Sequence, residues 1–589
     1  MDKFLPVRRN RSSAGYYEWP EKVKYSLLAL AKGPGASHVD SGEALYYCIV
    51  DMQGESGFLN THHMARCTSD GISLFFDDLL SRSDAKSFFH QVLPGIAELA
   101  LSLPALLQNQ SNDLAMLFTL HSRGKDVGSC TELRPDMGLK LLRDQQRGIV
   151  VLSQRLVASL LACSFLCLYP SSERRQENLP HMNIDRLFAG IYERGESIEH
   201  KLLCLLHYFE RVCQNMPEGV VSFERKVISL QNLKYSNTFW SSSTTSICPL
   251  TVVVDGSIED LGQDCLQVDF ANRLLGGGAL GDGCVQEEIR FMINPELAAG
   301  MVFLPVMASN ESIEIVGAER YCSYTGYASS FRFNGDFRDV MPRDAWGRRR
   351  THVIAIDALS QPGDDQFRLP YRVRELTKAY CGFLNSARLR DNAVNWKPFR
   401  QSAKSKGRVV NESEDLVQSG DSQTSDFSIE SPLIVDTRDE CSKSVVIKPN
   451  DTTGTSGQFQ DKDGDKMGAE IRDELGIATG NWGCGVFGGN LPLKCMLQWL
   501  AASQARRPYL LYFSFQNPDA QRLQEVADWI LQEEWVVGEL WSLVSEYASN
   551  NIFRVSLFDW ILPLPETELG ILQQSHVKRH GQREVVRHR

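Results

Sequence analysis

No Cys-x-x-Cys pair occurs among the 15 cysteines of this 589-residue chain. No group of His, Cys and Asp has the spacing of metal ligands either, so no metal and no cofactor is expected. Cys163 and Cys167 lie one helical turn apart in an apolar run and read as buried structural thiols. The start, Met1 to Arg9, lacks the apolar core of a secretory leader. A run of about twenty apolar residues, the length a membrane span requires, is also missing. The best candidate, Leu156 to Leu168, is a short uncharged stretch behind Arg155 and reads as a buried helix. Together these absences point to a reducing intracellular compartment. There is no Gly-x-x-x-x-Gly-Lys-Ser/Thr string, which excludes a P-loop hydrolase. An excess of positive charge is lacking too. The net charge of −11 argues against broad electrostatic coating of nucleic acid, and a polyanionic substrate must be caught by a local site.

What is present is enough chain for two or three domains, 43% hydrophobic and 23% charged, as in a soluble globular protein. Residues 83–217 read as an all-helical domain, preceded by a segment, 1–82, that packs on the core. Phe88, Phe89, Val92, Ile96, Leu99 and Leu103 recur at three- and four-residue spacing, with Pro94 and Pro104 expected to break or kink the segment. Ile149 through Leu168 is apolar nearly all round, as in a central helix. Short β-branched runs then alternate with helical patterns over 218–385 and 476–565: Leu250 to Val254, Leu266 to Phe270, Ile313 to Val316, Val353 to Ile356 and Tyr509 to Phe513. That is an α/β layer architecture, a sheet covered by helices on both faces, with ligands expected at strand ends.

Between them, 386–475 is rich in Ser, Asp, Thr, Gly, Gln and Lys, and residues 401–470 hold only Phe427 and Phe459 as aromatics. Too little apolar surface is available to offset chain entropy, so a disordered insertion is expected, either a tolerated loop or a regulatory segment. The tail, 566–589, is basic and reads as a nuclear address or a solvated end.

The chemistry concentrates in two glycine-rich strings. In the first, Asn272-Arg273-Leu274-Leu275-Gly276-Gly277-Gly278 is followed by Gln286-Glu287-Glu288. Three glycines let a ligand lie against the peptide plane, and adjacent carboxylates are suited to protonating a glycosidic oxygen. At a helix start the dipole favours ionised carboxylates, whereas burial and the like-charged neighbour oppose it, so one of the pair should hold a proton near neutral pH. Spacing does not choose between Glu287 and Glu288. The second string, Thr479 to Asn490, has five glycines and precedes the helical pattern Leu491 to Ala502. Free N–H groups at such a helix start suit a diphosphate.

The stretch Val268-Asp269-Phe270-Ala271-Asn272 through Gln286-Glu287-Glu288-Ile289-Arg290-Phe291 closely resembles the signature of poly(ADP-ribose) glycohydrolases. The resemblance covers roughly 137–385 and 478–560 and implies a macrodomain, a mixed sheet between helical layers, packed on a helical accessory domain. It implies that Glu288 donates the proton to the ribose 2′-oxygen linking successive ADP-ribose units and then activates water. Glu287 and Asn272 would hold ribose hydroxyls, and Gly276, Gly277 and Gly278 would lie against the substrate. Gln286 would contact the adenine-bearing end or order the loop, and Asp269 would shape the loop, a role compatible with capping the following turn. Asn481 and Gly485, Val486, Phe487, Gly488 and Gly489 match the diphosphate loop, with Phe487 pressing on the distal ribose. Tyr327 and Phe515 match aromatics that stack on adenine, although Phe515 could equally be core. Ile258 and Glu259 sit where the adenine edge is read. The insertion before Thr479 is longer than the family core implies, and the family's long N-terminal regulatory extension is not recognisable.

The expected activity is hydrolysis of ribose–ribose O-glycosidic bonds, mainly from the free end, releasing ADP-ribose. The expected partners are poly(ADP-ribose) and ADP-ribosylated proteins, with no membrane and no sequence-specific nucleic acid, for a monomer of nucleus and cytoplasm. The alternative is a non-catalytic reader of ADP-ribose ends, which would need the glycine loops and aromatics but has no use for Gln286-Glu287-Glu288.

Overall fold

A computed structural model of the chain describes residues 1–9, 16–54, 64–122, 139–229, 236–385, 475–550 and 555–562. The insertion expected over 386–475, apart from Leu475, and the basic tail lie outside the described residues.

Eight strands form one mixed sheet: β1 (Gly148–Ser153), β2 (Val220–Val227), β3 (Leu250–Val253), β4 (Cys265–Asp269), β5 (Glu311–Val316), β6 (His352–Ala355), β7 (Gly476–Gly480) and β8 (Leu510–Phe513). Their order across the sheet is β1-β2-β5-β6-β4-β7-β8-β3. β6, β4, β7, β8 and β3 run parallel, whereas β1, β2 and β5 are joined antiparallel. Side chains alternate across the sheet with the period of two that a strand imposes. Along β6, Val353 and Ala355 join one buried cluster, while Ile354 and the following Ile356 join the other. The sheet is therefore buried on both faces, which is why its strands read as short, nearly continuous apolar runs.

On one face lie α1 (Leu93–Ser122), α2 (Gln154–Phe165), α3 (Glu196–Gln214) and α4 (Gln286–Ile293). Leu5, Val7, Val23 and Leu27 of the N-terminal segment belong to the same core as Leu160, Leu202, Phe291 and Ile313. The opposite face is covered by α5 (Leu369–Phe383) and α6 (Leu491–Gln504), with Leu376, Leu497, Trp499 and Leu500 buried beneath them.

Two expectations are corrected within the helical stretch. First, Gly148–Ser153 is an edge strand of the sheet, and helix begins only at Gln154, where Ser153 Oγ accepts the Leu156 N–H at 3.2 Å. Ile149-Val150-Val151-Leu152 is a short apolar run that periodicity cannot separate from buried helix; the N-cap serine was the signal that helix starts later. Second, neither Pro94 nor Pro104 ends the helical run. A widened π-type turn over Phe88–Val92 lies just ahead of Leu93 and Pro94, which sit in the first turn of α1, and Pro104 lies inside α1. Among the described residues, the resulting Arg82–Asn109 stretch, not Leu156 to Leu168, is the one long and apolar enough by length and composition to cross a membrane. Its Phe88, Phe89, Val92, Leu93, Ile96 and Leu103 are packed in the core described above.

Candidate active site

Five parallel strands deliver their C-terminal ends to one edge of the sheet, and the residues singled out by sequence follow those ends. Asp269 closes β4, Asn481 follows β7, Phe515 follows β8, and Ile258 and Glu259 come after β3. Crevices outside the carboxyl ends of parallel strands are where such sheets hold ligands.

The glycine string and the carboxylate pair form one structure. Glu287 is buried, and its carboxyl accepts the N–H of Asn272 and of Gly276, both at 2.7 Å. Glu288 accepts the N–H of Gly278 and of Val285, both at 2.9 Å, the second closing a capping contact at the start of α4. Gln286 orders the loop: its Oε1 accepts the Phe270 N–H at 2.8 Å, and its Nε2 donates to Val268 O at 3.2 Å. The N–H groups of Gly276 and Gly278 are thus spent on carboxyls, so what this glycine loop cradles directly is the acidic pair. Gly277 has φ +49°, in the left-handed region, and is the exposed member of the three.

Burial, then the charges of Asp269 and Glu288, hold the Glu287 carboxyl well above the usual carboxylate range, against the opposing N–H groups of Asn272 and Gly276. Asp269 is buried, and among the described residues neither carboxyl oxygen has a hydrogen-bond partner, so it does not cap the following turn. Burial pushes it up to about 8, with Arg290 opposing and Glu288 adding. Burial and mutual charge thus favour the protonated forms of Asp269 and Glu287, and Glu288 beside them completes a cluster of three carboxyls. Glu288 is its most exposed member, 7% against 2% for Glu287 and 1% for Asp269.

The second glycine string forms the turn between β7 and α6. Gly488 N–H donates to Gly485 O, Gly489 N–H to Gly483 O, and Cys484 N–H to Asn481 O. The N–H groups of Gly485, Val486 and Phe487 have no partner among the described residues. Gln361, after β6, steadies the loop by donating to Phe487 O and Val486 O. Asn490 caps α6, its Oδ1 accepting the Leu493 N–H at 3.0 Å. Both ends of the Asn481 amide are engaged by protein, with the Tyr512 hydroxyl and Ser514 O each at 3.0 Å. Three free consecutive N–H groups ahead of a capped helix are an anion-binding arrangement.

Tyr327 and Phe515 are both about half exposed, with ring centroids 6.4 Å apart and planes tilted by 46°. A flat ring inserted between two others needs about 7 Å, two contact distances of roughly 3.5 Å, so the gap is close to that of a base clamp. Phe515 and Gln516 both have positive φ, 50° and 53°, and Ala328 has 52°. Bulky residues held in the left-handed region store strain of about 1–3 kcal/mol each, which tends to gather at binding sites. The Tyr327 hydroxyl is raised by burial and by Glu288, with the Gln286 backbone N–H opposing, which ties the clamp to the start of α4.

Ile258 is buried at the start of the short helix Ile258–Leu261. Glu259 beside it accepts a hydrogen bond from the Tyr324 hydroxyl, and Asp260 pairs with Arg320 at 2.6 Å. Tyr324, Arg320 and the buried Lys201 of α3, which touches the first glycine loop, were not singled out from sequence. No local pattern marks them, because the contacts that bring them to the site, with Asp260, Glu259 and Gly281, span 60 or more residues.

The family description "Poly (ADP-ribose) glycohydrolase (PARG), Macro domain fold" matches residues 237–522, and the corresponding helical domain matches residues 80–225. Over 561 residues the chain is 41% identical to poly(ADP-ribose) glycohydrolase 1 of Arabidopsis thaliana, covering 94% of each chain. The probable poly(ADP-ribose) glycohydrolase 2 of the same plant is 37% identical over 569 residues, 95% of this chain and 97% of that one. Poly(ADP-ribose) glycohydrolase 1 of Caenorhabditis elegans is 27% identical over 393 residues, 64% of this chain and 39% of that one. The acidic pair, its glycine loop and the base clamp thus sit on the sheet edge of a matching fold, and the chain belongs to the poly(ADP-ribose) glycohydrolase family.

Proposed function

We propose that this protein hydrolyses the ribose–ribose O-glycosidic bonds of poly(ADP-ribose), mainly from the free end, releasing ADP-ribose, with Glu288 as general acid and base. The observation that carries this is the position of Glu288: the most exposed carboxyl of a three-carboxyl cluster, fixed by two backbone N–H groups at the mouth of the loop. The adenine stacks between Tyr327 and Phe515, and the diphosphate lies on the free N–H groups of Gly485, Val486 and Phe487. That pose directs the distal ribose toward Glu288. Glu288 gives its proton to the departing 2′-oxygen as the C–O bond breaks and the anomeric carbon takes oxocarbenium character. Water then attacks that carbon and passes a proton to the Glu288 carboxylate, restoring the acid. Glu287 keeps Asn272 and Gly276 in place beneath the ribose.

ADP-ribosylated proteins bearing the polymer are the natural partners in this reading, acted on by a monomer in nucleus and cytoplasm. A reader that only bound ADP-ribose ends would have no use for three clustered carboxyls whose burial is costly. Incubation with labelled polymer separates the two: shortened chains are expected, and retardation on a gel without shortening would establish the reader instead.

A further inference from the structure

Lys201 lies on α3, in the helical domain, far in sequence from the acidic pair. Its ammonium is fully buried, yet it makes no ion pair among the described residues. It donates instead to three backbone carbonyls of the first glycine loop: Gly278 O at 3.1 Å, Gly281 O at 2.8 Å and Gly283 O. Those carbonyls belong to the two limbs of the loop that touch Glu288. Gly278 N–H donates to Glu288 Oε1, and Gly283 lies so near that a Cβ built on it would be 2.8 Å from the Glu288 carboxyl carbon. A buried cation is costly to maintain, and a buried clamp of structural use alone could be a neutral donor. Burial draws Lys201 down to about 8, opposed by Cys284, Glu288 and Asp282.

We infer that Lys201 is a positioning residue for the reaction, through which the helical domain fixes the loop limbs on either side of Glu288 and so sets where its carboxyl meets the scissile bond. The inference rests on the proton-donor reading of Glu288. It explains why a helical layer packs against the catalytic loop: α3 brings Ile198, Leu202 and Leu205 into the shared core and Lys201 into the loop. The diphosphate turn follows β7 and Phe515 follows β8, and of the adenine clamp only Tyr327 is tied to the start of α4, so most of product affinity is separable from placement of the loop limbs that Lys201 holds.

The test compares K201M, E288Q and the unaltered full-length protein in steady-state turnover of labelled poly(ADP-ribose) and in ADP-ribose binding by calorimetry. Misplacement of a catalytic group by about 1 Å can cost on the order of 10²-fold, so K201M should lose at least tenfold in kcat with ADP-ribose Kd within threefold. If K201M does not accumulate folded, K201Q, which keeps two N–H donors and removes the charge, is read the same way. A folded variant with kcat within threefold of the unaltered protein overturns the inference, and so does a parallel loss of kcat and ADP-ribose affinity. An E288Q variant as fast as the unaltered protein sinks the proton-donor reading itself. A slow E288Q beside an unimpaired K201M removes only Lys201.

Discussion

A Cβ atom built on Gly277 would lie 2.6 Å from Glu288 Oε1, and equally 2.6 Å from Glu287 Oε2. Both carboxyls therefore rest against a residue that can carry no side chain, and the left-handed φ of +49° adds a second demand for glycine. Gly277→Ala should displace both carboxyls and lower kcat by at least tenfold. ADP-ribose affinity should fall by less than kcat does, because Phe515 and the diphosphate turn stand on other elements. Turnover assays and calorimetry on the folded variant check this.

The clamp makes a separable prediction. Phe515→Ala should weaken ADP-ribose binding by about 1–3 kcal/mol, the usual value of one stacked base. Phe515→Gly should bind as weakly but melt at a higher temperature than Phe515→Ala. Its left-handed backbone, at φ 50°, costs an alanine roughly 1–2 kcal/mol that a glycine avoids. Equal melting temperatures for the two variants would mean the strain is released some other way.

Glu296 governs part of the pH dependence of stability. Fully buried, it accepts from Gln154 Nε2 at 2.8 Å, from Glu319 N–H at 2.7 Å and from the Tyr321 hydroxyl at 3.1 Å. Burial raises it to about 7. The folded state binds this proton more tightly than the unfolded chain. The contribution is thus complete below the ordinary carboxylate value and is lost as pH rises through about 7. At 1.36 kcal/mol per unit this is about 3 kcal/mol. Glu296→Gln, which mimics the protonated acid, should show a smaller fall in melting temperature between pH 5 and 7.5 than the unaltered protein.

Beneath the diphosphate turn, buried Lys494 pairs with buried Glu375 and lies 4.4 Å from the centre of the Trp482 ring. Lys494→Met leaves the buried Glu375 charge to Arg374 alone, at 2.7 Å, and should cost less than the roughly 3–5 kcal/mol of a fully stranded buried charge. Adding Glu375→Gln should restore much of the loss, a coupling that a double-mutant cycle in chemical denaturation measures directly.

Much of this was legible because it is local. β3, β4, β5, β6 and β8 announce themselves as β-branched apolar runs, and the acidic pair follows its glycine string within one loop. The central strand β7 does not, since Gly476-Ile477-Ala478-Thr479-Gly480 lacks the bulk that marks a strand. Its smallness is imposed from outside: a Cβ on Gly476 would sit 2.2 Å from the ring of Tyr509 beside it. β1 was hidden by its continuity with α2. Lys201 and Tyr324 were silent for a related reason. A lysine in an apolar helix and a tyrosine among tyrosines acquire meaning only when folding brings Gly281 and Glu259 to them.

The acid role of Glu288 is tested most directly by kcat on labelled poly(ADP-ribose) for Glu288→Gln, with ADP-ribose affinity measured on the same preparation. The account predicts unchanged affinity and a loss of at least the ~10²–10⁴ that general acid catalysis supplies. Turnover near that of the unaltered protein would contradict it.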